Sequence, residues 1–163
     1  MAKRSARNRR TRKQRGGSLL IGANAPSLQG RQISFQVIFG SLSASNSGPI
    51  LSLEASQIQP TVTWSPDGSY TLVCWDPDAP AKSWLHWLVI NCTTTPESGK
   101  TLQPWAPPSP PPGSGTHRYI FGLFQQSGPL NLPSPSRSGF QLAQFAKQAG
   151  LIPLAYKGIR VKS

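Results

Sequence analysis

Acidic residues are scarce in this 163-residue chain: Glu54, Asp67, Asp76, Asp78 and Glu97 are the only five, and there are only two histidines, His86 and His117. Acid–base or metal chemistry therefore has few residues to draw on. Two cysteines, Cys74 and Cys92, do not make a disulfide framework and read as small core residues. No apolar run approaches the length of a transmembrane helix, and the stretch before Gly22 carries charge but no signal-peptide core. The expected location is intracellular, and the sequon Asn91-Cys92-Thr93 reads as incidental. Few Glu and Lys against 17 Pro and 15 Gly argue against a helical bundle and for a mainly β protein.

What is present is unevenly spread. The net charge is +12. Eight of the 17 basic residues (Lys3, Arg4, Arg7, Arg9, Arg10, Arg12, Lys13 and Arg15) lie in the first fifteen positions, which hold no acid. The remainder carries nine bases against five acids, a net +4. The division expected is a basic extended arm over 1–18, unable to fold alone because like charges repel, and one β domain over 19–163, large enough for one core. The arm suits an acidic groove on another protein of an assembly, an anionic membrane surface or, without sequence readout, nucleic acid.

Alternation at period two predicts a half-buried strand over 31–39, with Ile33, Phe35 and Val37 on one face. Further strands are expected at 60–64, closed by the turn Ser65-Pro66-Asp67-Gly68, and at 70–75, 85–92 and 117–125. The proline-rich run 104–115 reads as a stiff loop packed between two strands. One helix is expected over 138–150, with Ser138 as N-cap, Phe140, Leu142, Phe145 and Ala149 on one face, and Gly150 as the stop.

Asp76 and Asp78 follow directly from a buried strand, where a β scaffold presents binding groups. Their ordinary reading is a turn in which each carboxylate accepts local backbone N–H groups, just as a lone strand histidine is ordinarily a core residue with one hydrogen bond. Two carboxylates and two histidines, each at a strand edge, also suit a convergent site. There a carboxylate fixes an imidazole, whose other nitrogen donates to an anion, and Gly113 and Gly115 let backbone amides approach a phosphate. The same four side chains suit a divalent metal, but no Ser or Cys is visibly paired with a base. No enzyme, metal or cofactor is expected. Trp84 and Trp87 flank His86, and one of them is a candidate pocket wall.

Three blocks, Tyr70-Thr-Leu-Val-Cys-Trp-Asp-Pro-Asp-Ala-Pro80, Trp84-Leu-His-Trp-Leu-Val-Ile-Asn91 and Pro111-Pro-Gly-Ser-Gly-Thr-His-Arg-Tyr-Ile-Phe121, occur in the order of the signature blocks that they resemble in the phosphatidylethanolamine-binding protein family. The resemblance covers about residues 20–160. It implies an antiparallel β-sandwich with one or two short helices and an anion pocket for phosphate-bearing headgroups at one end. Matched by position, Asp76, Asp78, His86, Pro111, Gly113, Gly115, His117 and Tyr119 form that pocket, while Arg118 alternates away from it and braces the loop. Ala81 replaces the family's usual Ser, and only Ala81, Lys82 and Ser83 separate the acidic run from Trp84, so an opened or reshaped rim is expected. The leader Asn8–Gly17, ending Gly16-Gly17, resembles basic leaders of virion proteins of large DNA viruses. The function expected from both resemblances is a non-enzymatic structural component of a larger assembly, a minor capsid protein located in the virion and tethered by its arm. The alternative is a soluble regulator that binds phospholipid headgroups or phosphoproteins through the Asp/His pocket.

Overall fold

A computed structural model describes residues 25–31 and 33–163; the basic arm lies outside the described residues. Among the described residues, nine strands and one α-helix follow in chain order: β1 (Ser34–Phe39), β2 (Leu42–Ser43), β3 (Ile50–Leu51), β4 (Thr61–Ser65), β5 (Tyr70–Asp76), β6 (Trp84–Cys92), β7 (Lys100–Gln103), β8 (Thr116–Gln125), α1 (Leu142–Gln148) and β9 (Ile152–Lys162). They form a three-stranded sheet in the order β2-β1-β4 and a six-stranded sheet in the order β3-β9-β8-β5-β6-β7. Every pairing is antiparallel except that of β3 with β9.

The small sheet contributes Phe35, Val37, Phe39, Val62 and Trp64 to the core between the sheets, facing Leu72, Cys74, Trp87, Val89, Phe121 and Ile159. The opposite face of the large sheet packs Val73, Trp75, Leu88, Ile90, Ile120 and Phe124 beneath α1 and the segment leading to it. With both faces covered, β5 is buried at all seven positions, which is why its sequence runs continuously apolar rather than alternating. Cys74 and Cys92 are free and buried in these layers.

The strands expected from alternation are present with ends shifted by one to three residues. The helix is shorter than expected and is not capped by Ser138. Ser138 instead forms a β-bridge with Trp84, and Gly139, at φ +68°, donates its amide to the Ser83 carbonyl. Seven residues do not sustain a helix in water, but Leu142 and Ala146 are each 2% exposed and Phe140 6%. A fully buried Leu or Phe side chain contributes roughly 1.5–3 kcal/mol, so packing rather than capping holds α1.

Four strands escaped the sequence reading: the two-residue β2 and β3, and the longer β7 and β9. In β7 only Leu102 is buried. In β9, Pro153, Lys157, Gly158 and Arg160 interrupt any clean period, yet it pairs with β8 over its whole length. Gln126 joins the layers: its side chain accepts from the Thr71 hydroxyl and the Asn91 amide, and donates to Ser69, Asn91 and Gly128. The Asn91 side chain in turn bonds both the N–H and the carbonyl of Leu130, so a glycan there would break the network.

Candidate functional site

The chemistry-bearing residues meet at one end of the large sheet. Asp76 closes β5, His86 lies near the start of β6, and His117 and Tyr119 stand two apart on β8, facing the same way. Together with Ala79, Pro80, Trp84, Ala106, Pro107, Ser109 and Pro111 they line a cavity of about 370 Å³. A larger groove, about 680 Å³, runs between β1 and β9. It holds neither histidine nor any carboxylate, so the smaller cavity is the candidate site.

A β-bulge aims His86. Cys74 pairs with Trp87 while Trp75 pairs with Leu85, so β6 carries one extra residue there. Leu85 and Leu88 join the core under the helix, Trp87 joins the core between the sheets, and His86 turns to Tyr119, its ring edge-on with centroids 5.0 Å apart. Arg137 holds the bulge. Its guanidinium donates to the carbonyls of Leu85 (2.9 Å), His86 (3.1 Å) and Pro104 (2.7 Å), and its own carbonyl accepts from the Leu85 amide. The Ala106 amide donates to the His86 carbonyl at 2.8 Å, which ties the proline-rich rim to the same point.

The two imidazoles are set differently. His86 Nδ1 lies 2.6 Å from the Ala106 carbonyl; a carbonyl only accepts, so Nδ1 carries the proton. Burial, helped by the charges of Arg137 and His117, lowers the His86 pKa to about 4. The ring is therefore neutral at pH 7 and Nε2 is a bare acceptor. His117 is buried, with Nδ1 2.7 Å from Asp76 Oδ2 and Nε2 2.9 Å from the Ser114 hydroxyl. The Ser114 hydroxyl donates its single proton to the Pro111 carbonyl at 2.6 Å, so His117 Nε2–H is the donor to Ser114. Nδ1 and Oδ2 share a second proton, and in either placement the His117–Asp76 pair is neutral overall.

Burial pushes the Asp76 carboxyl up, against the His117 contact and the Asp78 amide that donates to Oδ1 at 2.7 Å. Asp78 goes the other way. Burial alone would raise it, but the backbone and side chain of Arg118, at 2.7–2.9 Å, hold it below the usual carboxylate range.

Five expected pocket residues, Asp76, His86, Pro111, His117 and Tyr119, line the cavity, and Trp84 walls it. Trp87 does not; it stacks edge-on with Trp105. Asp78 is turned to Arg118, so the expectation that Arg118 braces the loop holds, and Asp78 is its counterpart. Gly113 and Gly115 sit at positive φ in the loop beyond Pro111. The Gly115 amide donates to the Ser163 hydroxyl and its carbonyl accepts from the Ser163 amide; neither glycine is among the lining residues. Both readings of Asp76 are realised at once: one oxygen makes the local turn, the other holds His117.

Sequence reasoning missed Ser114, which does pair with His117, and Arg137. Arg137 is the sole charged residue between Arg118 and Lys147, and that isolation was the one available signal. Among the described residues no group of three or more His, Cys, Asp or Glu is placed to hold a metal, and no helix is long and apolar enough to cross a membrane.

The fold and site together define a β-sandwich with a small, mostly apolar end-pocket edged by two histidines. The chain belongs to the phosphatidylethanolamine-binding protein family, whose signature it matches over residues 29–157. It is 34% identical over 149 residues to a 26 kDa secreted antigen of Toxocara canis, a match that covers 81% of this chain and 55% of that protein. The chain thus spans about half the length of that relative. Among solved structures, a carboxypeptidase Y inhibitor in complex with its cognate proteinase aligns with a TM-score of 0.71 at 22% identity, over 81% of this chain and 84% of that one. A phosphatidylethanolamine-binding protein from Plasmodium vivax aligns with a TM-score of 0.65 at 20% identity, over 79% and 84%. At these identities the likeness is one of fold.

Proposed function

We propose that the protein is a non-enzymatic binding module whose pocket takes a phosphate-bearing group, a lipid headgroup or a phosphorylated partner. The observation that carries this reading is the complementary pair of imidazoles, one donor and one acceptor, at an apolar cavity of about 370 Å³. The apolar walls suit the organic part of such a ligand, and the His117 Nε2–H suits its anionic oxygen.

Asp76, His117 and Ser114 superficially form a nucleophile–base–carboxylate array. The proton runs the wrong way for catalysis, because the Ser114 hydroxyl donates to Pro111 and accepts from His117. Activation of a serine needs the reverse. That polarity supports a binding role.

The test is saturable binding of glycerol 3-phosphate followed by NMR of the imidazoles. Binding that shifts His86 and His117 and weakens at least tenfold in His117→Ala is expected. Binding unaffected by that substitution, or none at all, overturns the reading. The assembly role rests on a separate observation, the eight positive charges in the first fifteen residues; neither the fold nor the relatives support a virion or capsid setting for it.

A further inference from the structure

We propose that the pocket selects a phosphate monoester in its singly ionised form, the ligand's P–OH donating to His86 Nε2 while an anionic oxygen takes the His117 Nε2–H now given to Ser114. The inference rests on the phosphate-binding reading above and adds the protonation state of the ligand to it.

The hydrogen bonds around His86 point to it. The Ala106 carbonyl fixes the proton of His86 on Nδ1, and Arg137, gripping the Leu85 and His86 carbonyls from behind, holds that ring in place with a positive charge that opposes its protonation. Nε2 can then only accept. A fully ionised phosphate, which has no proton to give, would set its oxygens against a lone pair.

The charges around the cavity favour the same form. The groups around His86 are Tyr119 from β8, kept a neutral phenol by burial, and the His117–Asp76 pair, neutral as a unit. Of the cations nearby, Arg118 is committed to Asp78 and the Arg137 guanidinium to three carbonyls, while Lys82, between Pro80 and Trp84, is exposed and is not among the lining residues. The cavity offers no net positive charge for a dianion. The Ser114 hydroxyl sits in an exposed turn, its proton on the Pro111 carbonyl, and already makes the bond to His117 that the ligand's oxygen would make.

The experiment measures association of phenyl phosphate and phenyl sulfate with the full chain between pH 5 and 8. The sulfate ester is a monoanion of similar shape with no proton to donate and no titration in this range, so its own pH dependence reports the protein groups. The ratio of the two constants isolates the ligand's proton. With a second phosphate pKa of about 6, the ratio is expected to exceed ten at pH 5 and to fall about tenfold per pH unit above pH 7. In His86→Phe it is expected to flatten towards one at every pH; should that variant not fold, the wild-type ratio decides alone.

A ratio that is flat or rises with pH while both ligands bind overturns the inference and leaves the phosphate reading standing. Failure of both ligands to bind overturns both. Glycerophosphoethanolamine, a diester with an ammonium but no P–OH, separates the two possible donors: binding equal to that of phenyl phosphate at pH 5 assigns the donor to the ammonium and overturns the proposal.

Discussion

Asp76 and Asp78 stand two positions apart, and their carboxyls are driven in opposite directions, Asp76 up by burial and Asp78 down by Arg118. Linkage turns this into opposite pH dependences. A carboxyl whose folded pKa is raised stabilises the fold below its unfolded value near 3.8, and that contribution is lost as pH rises through the folded value. A lowered one stabilises above 3.8 and is lost as pH falls through the folded value. Melting temperatures between pH 3 and 6 should therefore show Asp76→Asn gaining on the wild type as pH rises and Asp78→Asn losing ground. Parallel curves would contradict the assignment. His86, with its pKa lowered from 6.5 to about 4, favours the fold when neutral. That contribution, about 3 kcal/mol at most, drains away as pH drops from 6.5 towards 4. Urea titrations of His86→Gln should show a flatter stability profile across that window. The carboxylates and histidines were visible in the sequence because such residues are so rare in this chain. Ser114 was not, because its role depends on a loop geometry that no local pattern encodes.

At the scale of the element, the bulge in β6 shows what period-two reasoning can and cannot reach. An apolar run over 85–92 announces a buried strand. Which face each side chain takes depends on one inserted residue and on a guanidinium fifty positions away. Arg137→Lys keeps the charge but loses the fork that reaches three carbonyls. It should cost about 1.5–3 kcal/mol in urea unfolding and speed amide exchange at Ala106, whose N–H bonds the His86 carbonyl. Unchanged exchange at Ala106 would show that the bulge stands without the clamp. The short helix was legible through its apolar face, while its start was not, because the bridge of Ser138 to Trp84 is a tertiary contact. Since packing holds α1, Leu142→Ala should cost about 2–5 kcal/mol by calorimetry or urea unfolding; a cost below 1 kcal/mol would place the stability of the helix elsewhere.

Across the whole molecule, three ordered blocks over 70–121 were enough to recognise the family, because β5, β6 and β8 are its central strands and carry most of the pocket. The small sheet and β9 were less legible, since long-range pairing sets their register. Charge is divided as sharply as burial. Residues 1–17 hold +8 of the net +12, while the pocket is neutral, so the arm's long-range electrostatics and the pocket's local hydrogen bonds should be separable by deletion. Binding of the full chain to a generic DNA duplex should weaken steeply with salt, with a log–log slope near −7 if the eight charges each neutralise a phosphate. Removing residues 1–17 should bring that slope close to zero and leave phosphate-ester binding in the pocket unchanged. A slope that survives the deletion would move the anion-attracting surface to the β domain and end the reading of the arm as tether. A duplex slope near zero in the full chain, alongside a stoichiometric protein partner that is lost on deletion after nuclease treatment, would assign the arm to protein assembly instead.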